Sequence, residues 1–436
     1  MKIKTVTVIG ANGTMGCNIS GIFASFGNAK VYMACRSLDK AEKAVGQAAK
    51  SVRAEAIAEN LVPATFDDLP KCVAESDLVF ESVSENFETK QGIIDRIADH
   101  VRPDVILATG TSGLSIDKLA DMYPENLRSR FIGMHFFNPP YMMTLCELIE
   151  SRYTDHTMTD FLAKYSEEVL VRTVVKVKDT AAFLGNRIGF QFINEACQYA
   201  EKYKDNGGID YIDAILGQFT GRNMAPIATA DFVGLDVHKA IVDNVYQNTK
   251  DYARATFVLP DYMQKLIDEG KLGRKSKQGL YKMLKDENGK RVQLVYDIDT
   301  GEYREKMRYI FPFARKMVDY LHSGDYKMAF ESLVHNHSIE AEICVSFLIK
   351  YVLYGITAAK LASDDINAAD HAMATGFGWV PPLAVIDAFG GKKEFAALAR
   401  DRMSSEFLAG VNLDETLADI PECSSYDYRS YFKGKQ

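Results

Sequence analysis

The sequence predicts an α/β fold in which a doubly wound, mostly parallel sheet is followed by two all-helical domains. Through residues 1 to about 180, short β-type runs alternate with helical patterns, which is typical of a parallel sheet with crossover helices. From residue 182 to about 270 the apolar spacing becomes helical and no strand is predicted. Two stretches of that helical region recur later in the chain, which indicates a duplicated domain.

The sheet is predicted from five short runs that are bounded by turn residues. These are Thr5–Ile9, Lys30–Ala34, Asp77–Glu81, Val105–Ala108 and Arg130–His135. Turn signals then flank an apolar run, 292–298, which predicts a small β-meander between helical segments. We therefore predict four parts: 1–181 for the sheet domain, 182–284 for the first helical domain, 285–305 for the meander linker and 306–436 for the second helical domain.

The duplication is visible as two recurring segments. Ile366–Asp370 resembles Ile209–Asp213, and Pro382–Gly390 resembles Pro226–Gly234 at nearly the same offset. The longest apolar region, Ile343 to Ala362, is interrupted by polar residues and is predicted to be a buried helix rather than a membrane span. The second helical domain is therefore expected to be a degenerate, packed repeat of the first.

Composition excludes several classes of protein. With 436 residues, 47% hydrophobic and 25% charged, the chain has the make-up of an ordinary globular protein, and its net charge of -8 argues against a nucleic-acid binder. The seven cysteines are scattered without a CxxC pair, so we expect neither a disulfide framework nor a zinc site. No secretory signal is recognised at the N-terminus. A cytoplasmic protein without metal or membrane attachment is expected.

A glycine-rich turn follows the first predicted strand and precedes a helical run. Its residues, Gly10-Ala11-Asn12-Gly13-Thr14-Met15-Gly16, read GxxGxxG, one residue longer than the usual GxGxxG. Such a turn lets backbone amides and a helix N-terminus approach a pyrophosphate, so a Rossmann-type dinucleotide site is predicted here. The alternative is a turn with incidental glycines.

The end of the second strand leaves the identity of the dinucleotide open. An acidic residue normally contacts the ribose hydroxyls at this point, but the chain reads Cys35-Arg36-Ser37 and has no carboxylate before Asp39. Arg36 would pair with the 2'-phosphate of NADP, or stack on the adenine of NAD, or lie in solvent. NAD is the expected cofactor and NADP an open alternative.

A candidate catalytic pair follows the fifth strand. His135 lies at the strand's end, the chain turns at Asn138-Pro139-Pro140, and Glu147 is then expected to return alongside the histidine. An imidazole oriented by a carboxylate can exchange the proton of an alcohol while hydride leaves the carbon. By itself a histidine beside two phenylalanines is more often a core residue, and the surrounding motifs favour the catalytic interpretation.

Ser112 lies in a turn, Thr109-Gly110-Thr111-Ser112-Gly113, that follows the fourth strand. Its hydroxyl would reach the cofactor pocket and help to hold a substrate oxygen. The alternative role for Ser112 is capping of the helix that begins near Ile116.

Together these segments resemble the L-3-hydroxyacyl-CoA dehydrogenase family over nearly the whole chain. The resemblance rests on the glycine turn, on 77–90 (DLVFESVSENFETK), on the Thr-Ser turn, on His135-Phe136-Phe137-Asn138-Pro139 and on 178–187, from Lys178-Asp179-Thr180 to Asn186-Arg187. It implies a Rossmann-type sheet domain followed by helical domains like those of 6-phosphogluconate dehydrogenase, and oxidation of (S)-3-hydroxyacyl-CoA in fatty-acid metabolism.

The resemblance also implies roles for individual residues. His135 would be the general base or acid, Glu147 its partner, and Ser112 and Asn186 would hold the substrate. Contacts with the dinucleotide would come from Gly10, Gly13, Gly16, Glu85, Lys90, Asn138 and Lys275. Apart from the resemblance, Thr14, Met15, Arg36 and Ser112 are further candidates for contact with the dinucleotide. The sequence departs from the family pattern in the longer glycine turn, in Cys35-Arg36, and in Gly110 and Gly113, where Asn and Ser are usual.

Two other functions stay open at this point. One is a dehydrogenase of a small hydroxy acid without coenzyme A, of the gulonate or carnitine type; the other is a non-catalytic dinucleotide-binding protein. The duplicated domain resembles the dehydrogenase part of bifunctional relatives that also carry an enoyl-CoA hydratase module, for which this sequence has no room. The second repeat is expected to fill a dimer-type interface internally, giving a monomer, with a homo-oligomer not excluded.

Overall fold

The computed structural model describes residues 2–52, 55–285 and 289–432 and divides them into two compact units. The sheet unit comprises residues up to Phe183, together with Ala362–Asp364 and Thr375–Phe377. The helical unit comprises Leu184–Leu361, Asp365–Ala374 and the residues from Gly378 onward. The division near residue 183 lies close to the first predicted domain boundary, and the finer four-part division stays a prediction.

The described residues of the sheet unit form one eight-stranded sheet. Its strands are β1 (Thr5–Ile9), β2 (Lys30–Cys35), β3 (Leu61–Thr65), β4 (Leu78–Glu81), β5 (Ile106–Thr109), β6 (Phe131–Phe136), β7 (Leu145–Glu150) and β8 (Thr173–Val177). They lie in the order β3-β2-β1-β4-β5-β6-β7-β8, and β7 and β8 run opposite to the others. The predicted α/β class and its five strands are confirmed, while β3, β7 and β8 were not predicted as strands.

Helices cover both faces of this sheet, as crossover connections require. They are α1 (Thr14–Ser25), α2 (Leu38–Ser51), α3 (Leu69–Glu75), α4 (Phe87–Ile97), α5 (Ile116–Asp121), α6 (Glu125–Arg128) and α7 (His156–Glu168). The central strands are apolar and buried along their length, which is the pattern of strands covered on two faces. Since β1, β4, β5 and β6 are parallel, the loops that follow them meet at one edge of the sheet.

The helical unit contains the following helices and a three-stranded antiparallel sheet among its described residues. The helices are α8 (Gly185–Lys202), α9 (Ile209–Ile215), α10 (Pro226–Val233), α11 (Leu235–Asn248), α12 (Asp261–Asp268), α13 (Pro312–Ser323), α14 (Tyr326–Val334), α15 (Ile339–Ala362), α16 (Ala368–Ala372), α17 (Pro382–Ala388), α18 (Lys392–Arg402), α19 (Ser405–Val411) and α20 (Leu413–Ala418). The strands are β9 (Tyr281–Lys285), β10 (Arg291–Tyr296) and β11 (Tyr303–Glu305). The predicted turn at 285–289 lies partly outside the described residues.

Two buried aspartates form hydrogen bonds that stabilise the first helical repeat. Asp213 accepts hydrogen bonds from the backbone N–H groups of Ile227 and Ala228, at 2.8 and 2.9 Å, in the first turn of α10. Tyr281 then donates its hydroxyl to Asp213 at 2.7 Å and its backbone N–H to Asp231 at 3.1 Å. Tyr281 thereby links Asp213, which caps α10, with Asp231, which lies within α10.

The second repeat uses the same arrangement. Asp370 accepts a hydrogen bond from the N–H of Leu383, at 2.9 Å, in the first turn of α17. Ser424 donates its hydroxyl to Asp370 at 2.8 Å and its backbone N–H to Asp387 at 2.9 Å. Asp370 and Asp387 lie in the two segments whose resemblance to the first repeat was noted in the sequence. The shared hydrogen-bond pattern therefore supports a duplicated helical domain.

Helix α15 occupies the long apolar region of the sequence. Its length and composition would suffice to cross a membrane, but 78% of its most apolar 18-residue window is buried inside the protein. Its ring contacts include Phe347 and Tyr351 against Phe192 of α8, at centroid distances of 5.2 and 5.8 Å. The prediction of a buried helix is confirmed.

Candidate active site

His135 and Glu147 form a buried pair on adjacent strands. The antiparallel register of β6 and β7 places the two residues directly opposite each other, where side chains on one face meet. The Nδ1 atom of His135 lies 2.7 Å from Oε2 of Glu147. The histidine is 3% exposed and the glutamate 0%. The return of Glu147 alongside His135, predicted from the turn at Asn138-Pro139-Pro140, is present in the structure.

The surroundings of this pair determine what the imidazole can do. Phe137 and Phe183 flank the ring, at centroid distances of 4.5 and 5.6 Å. When Nδ1 donates its proton to the carboxylate, the lone pair of the ring lies on Nε2, and Nε2 can then accept a proton. The buried carboxylate stabilises the positive charge that the ring gains on protonation. The pair is therefore built for reversible proton transfer.

The glycine turn between β1 and α1 is packed too tightly for side chains at two positions. Gly10 has a φ of +82°, and a Cβ there would lie 2.5 Å from the carbonyl oxygen of Ser82. A Cβ on Gly16 would lie 2.6 Å from the carbonyl oxygen of Gly10. Among the residues between these two glycines, Thr14 is exposed and Met15 packs against the core. The glycines at positions 10 and 16 thus allow a tightly packed turn directly before and into α1, which fits a turn that binds a dinucleotide pyrophosphate.

The end of β2 presents an arginine to solvent. Cys35 is fully buried, while Arg36 and Ser37 are exposed. Burial raises the pKa of the Cys35 thiol, so this side chain is neutral and cannot replace the ribose-binding carboxylate. Asp39, the nearest acid, forms an ion pair with Lys43 in α2 at 2.8 Å. Arg36 is therefore an exposed cation at a strand end whose nearest following carboxylate is already paired.

Lys90 is buried in a cluster of charged and polar side chains. Its Nζ lies 2.6 Å from Glu81 and 4.0 Å from Glu85. Glu81 also accepts hydrogen bonds from the hydroxyl of Thr109, at 2.7 Å, and from the N–H of Val83, at 2.6 Å. Glu85 and Lys90 were predicted from the sequence, whereas Glu81 and Thr109 were not; the positions of these two residues at the ends of β4 and β5 were the available signal.

Glu85 holds the turn that carries Ser112. Its two carboxylate oxygens accept hydrogen bonds from the N–H of Ser112, at 2.6 Å, and from the hydroxyl of Thr111, at 2.7 Å. The alternative of helix capping by Ser112 is wrong, because Ser115 is the N-cap residue of α5 and accepts from the N–H of Lys118 at 3.3 Å. The structure therefore brings Glu85, Lys90 and Ser112 together.

A glycine precedes this turn where the resembling family usually has asparagine. A Cβ on Gly110 would lie 2.7 Å from Cζ of Phe80, a ring that is buried in the core of the sheet unit. The large ring on β4 thus explains the small residue after β5. A side chain at position 110 would require Phe80 to move.

Asn138 lies exposed in the turn between β6 and β7, and the peptide bond to Pro139 is cis. The turn is stabilised by Arg172, which was not predicted from the sequence. Its guanidinium donates to the carbonyl oxygen of Pro140 and, at 2.7 Å, to that of Leu170. No motif marks Arg172, because its role depends on the return of the chain after α7.

Two predicted site residues belong to the helical unit. Asn186 is buried in the first turn of α8. Lys275 is partly exposed and forms an ion pair with Asp236 in the first turn of α11. Their roles toward substrate and dinucleotide stay predictions. Among the residues that the structure describes, no group of three or more His, Cys, Asp or Glu side chains is arranged to hold a metal ion.

Comparison with protein families gives two matches. The family model described as "3-hydroxyacyl-CoA dehydrogenase, NAD binding domain" matches residues 5–180, and the one described as "3-hydroxyacyl-CoA dehydrogenase, C-terminal domain" matches residues 183–283. Together they cover more than half of the chain. The second helical repeat lies beyond both matched ranges.

Individual proteins and structures are similar as well. A probable 3-hydroxyacyl-CoA dehydrogenase of Bacillus subtilis is 30% identical over 76% of this chain and 41% of its own length. The mitochondrial hydroxyacyl-coenzyme A dehydrogenase of Homo sapiens is 31% identical over 64% of this chain and 91% of its own. The crystal structure of an Escherichia coli 3-hydroxybutyryl-CoA dehydrogenase has a TM-score of 0.69 at 23% identity, covering 96% of this chain and 98% of that one, which shows a shared fold.

The chain spans about half the length of several curated relatives that it matches, from 41% to 52%. The share of the human protein that it covers is much larger, at 91%. The region of similarity therefore spans most of the length of some relatives and about half of others.

Proposed function

Because the chain belongs to the 3-hydroxyacyl-CoA dehydrogenase family, we propose that it interconverts (S)-3-hydroxyacyl-CoA and 3-oxoacyl-CoA with a nicotinamide dinucleotide. The observation that carries this proposal is the buried pair of His135 and Glu147, whose nitrogen and oxygen lie 2.7 Å apart. His135 lies near the end of β6, the strand that neighbours β5, at the sheet edge where the glycine turn also lies.

His135 acts as the general base in oxidation and as the general acid in reduction. Its Nε2 atom takes the proton of the C3 hydroxyl as the ketone forms, and returns it in the reverse direction. Glu147 holds the ring in the tautomer with a proton on Nδ1 and stabilises the imidazolium. Phe137 and Phe183 limit the access of water to the ring, which strengthens the electrostatic interaction with the carboxylate.

Ser112 and Asn186 bind the substrate oxygens. Glu85 fixes the backbone of Ser112, and the seryl hydroxyl would donate to the oxygen on which charge develops during reduction. Asn186 would bind the thioester carbonyl. The dinucleotide, when bound on the glycine turn, supplies or accepts the hydride.

Arg36 contacts the adenosine end of the dinucleotide. Its exposure at the end of β2 and the absence of a carboxylate at positions 35–37 support this role. If the guanidinium binds a 2'-phosphate, Arg36→Ala should weaken NADPH selectively; if it stacks on adenine, the two nucleotides should be weakened equally. Fluorescence titration of both reduced nucleotides into the two proteins distinguishes these roles.

The chain acts as a cytoplasmic monomer in which the second repeat covers the first. Aromatic rings of α8, in the first repeat, pack against aromatic rings of α15, in the second repeat. In a dimer, the corresponding contact would lie between two subunits. A monomeric mass by sedimentation supports this proposal, and an obligate dimer through α15 would overturn it. The seven free cysteines support the proposed cytoplasmic location, because unpaired thiols suit a reducing compartment.

The proposed reaction is tested by initial rates of acetoacetyl-CoA reduction with NADH and with NADPH, using free acetoacetate as the control. Turnover of the thioester without turnover of the free acid is the expected result. Turnover of the free acid at a similar rate would indicate a hydroxy-acid dehydrogenase. No turnover of either compound, with the nucleotide bound, would overturn the proposal.

A further inference from the structure

Arg187 follows Asn186 in the first turn of α8 and is 2% exposed. Its Nε donates to the hydroxyl oxygen of Tyr354 at 3.0 Å, and its Nη2 donates to Oδ2 of Asp251 at 2.7 Å. A buried guanidinium requires such partners, since its charge cannot be transferred from water without compensation. Arg187 is therefore fixed from two sides.

Tyr354 reaches this arginine from α15, in the second helical repeat. The tyrosine is 1% exposed, and its hydroxyl also donates to Asp251 at 3.2 Å. The rings of Tyr252 and Phe257 pack around it, at centroid distances of 6.1 and 6.0 Å. The hydroxyl thus accepts from Arg187 and donates to Asp251 in one closed network, so its position is defined by packing and by two hydrogen bonds.

The network acts on the helical turn that carries Asn186. Consecutive residues in the first turn of a helix share a rigid backbone, so the anchoring of Arg187 limits the orientation that Asn186 can adopt. The second repeat has an apolar sequence where the first has its Asn-Arg pair. Instead, the second repeat contributes the hydroxyl of Tyr354, which accepts a hydrogen bond from Arg187 of the first repeat.

We infer that Tyr354 is a positioning residue, through which the second repeat orients Asn186 toward the acyl-CoA substrate. This inference rests on the proposed function, in which Asn186 binds the substrate. Tyr354 itself touches Arg187 and Asp251, so its effect reaches the substrate through α8.

The first test compares Tyr354→Phe with Tyr351→Phe. Tyr351 is a matched control because it lies one turn earlier on α15, is fully buried, and donates its hydroxyl to the carbonyl oxygen of Val380 at 2.7 Å. We expect Tyr354→Phe to lower kcat/KM for acetoacetyl-CoA about threefold to tenfold, with the KM for the nucleotide unchanged. Tyr351→Phe should leave both constants within about twofold of the parent, although each variant loses one buried hydrogen bond. Thermal unfolding of both variants controls for stability.

The second test is a double-mutant cycle with Asn186→Ala. If Tyr354 acts through Asn186, adding Tyr354→Phe to Asn186→Ala should lower kcat/KM no further. Equal losses in the two tyrosine variants, or multiplicative losses in the double variant, would overturn the inference. A normal rate in Asn186→Ala would overturn the predicted role of Asn186 and this inference with it. Inactivity of the unaltered protein toward acetoacetyl-CoA would overturn the proposed function and also this inference.

Discussion

Each of the two units buries a histidine, and the two rings are held by different partners. In the sheet unit, Nδ1 of His135 lies 2.7 Å from a carboxylate oxygen of Glu147. In the helical unit, Nε2 of His238 lies 2.8 Å from the amide oxygen of Asn194. A carboxylate compensates a positive charge on the ring, whereas a neutral amide compensates little of it. We therefore propose that similar burial gives a proton-transfer group in one unit and a structural residue in the other.

The hydrogen bonds of Asn194 fix the orientation of its amide. Its Nδ2 donates to the carbonyl oxygens of Thr256 and Val258, at 2.7 and 2.8 Å, so Oδ1 faces His238 and accepts from Nε2. Among the described residues, no partner lies within hydrogen-bonding distance of Nδ1 of His238. Burial lowers the pKa of His238 from 6.5 to about 3, so this ring stays neutral at physiological pH.

The largest expected effect is that of His135→Gln. Removing the proton-transfer group should lower kcat for acetoacetyl-CoA reduction by roughly two to four orders of magnitude, while the nucleotide affinity stays within about twofold. Initial rates and a fluorescence titration of the nucleotide measure the two quantities. Equal loss of nucleotide affinity would mean that His135 is a structural residue like His238.

In Glu147→Gln, the partner of His135 becomes a neutral amide, like the amide of Asn194 that pairs with His238. An amide replaces the carboxylate, so the charge compensation of the imidazolium is lost and the tautomer of the ring is no longer fixed. We expect kcat to fall by about one to three orders of magnitude, with the fold preserved. Rates across the pH range measure this effect, and circular dichroism checks the fold. An unchanged rate would show that Glu147 only fills space.

His238 should make the protein sensitive to acid. Between pH 6.5 and about 3 the unfolded chain protonates this histidine while the folded chain does not, so the unfolded state binds more protons and stability falls as the pH drops. The loss should be on the order of 1 kcal/mol for each pH unit below 6.5. Urea unfolding at several pH values, for the parent and for His238→Gln, measures it as a difference between the two proteins.

That difference is needed because other buried groups act in the opposite direction. Burial raises the pKa of Asp213 to about 6 and that of Asp370 to about 7. Their folded forms take up protons first, so they add stability as the pH falls below about 7. Both aspartates are present in the parent and in the variant, and their contributions cancel. If the two proteins lost stability in parallel, His238 would not be held neutral by the fold.

The smallest expected effect is that of His238→Gln on turnover. Glutamine can donate to Asn194 in place of Nε2, so the fold should be kept and kcat at neutral pH should stay within about twofold of the parent. The rate is measured at a temperature well below the unfolding transition of the variant. A loss of turnover comparable to that of His135→Gln would remove the distinction between the two histidines.

The pairing of His135 with Glu147 could be predicted because the turn at Asn138-Pro139-Pro140 reverses the chain. The segments before and after the turn can then lie side by side. The strand β7 itself was not predicted, since Leu145–Glu150 is a nearly continuous apolar run with one carboxylate inside it. A buried glutamate needs a polar partner. Only the register of the folded sheet shows that the partner of Glu147 is His135. The residues of the pair were therefore predictable, and their geometry was not.

The strand β3 was missed for a different reason. Pro63 lies in its middle, and proline is excluded from interior strands because it cannot donate to the ladder. The strand lies at the edge of the sheet, where one side of the backbone has no neighbouring strand and proline is tolerated. Likewise, Ser112 and Ser115 both precede α5, and the hydrogen bonds of the folded chain were needed to distinguish the residue that caps the helix.

We propose that the partner of each buried histidine, rather than its burial, determines which one transfers protons. The most direct test measures kcat for acetoacetyl-CoA reduction in His135→Gln and His238→Gln side by side, with nucleotide affinity and thermal stability recorded for each protein. We expect that only His135→Gln loses turnover by roughly two orders of magnitude or more. Equal losses in the two variants, or full turnover in His135→Gln, would contradict it.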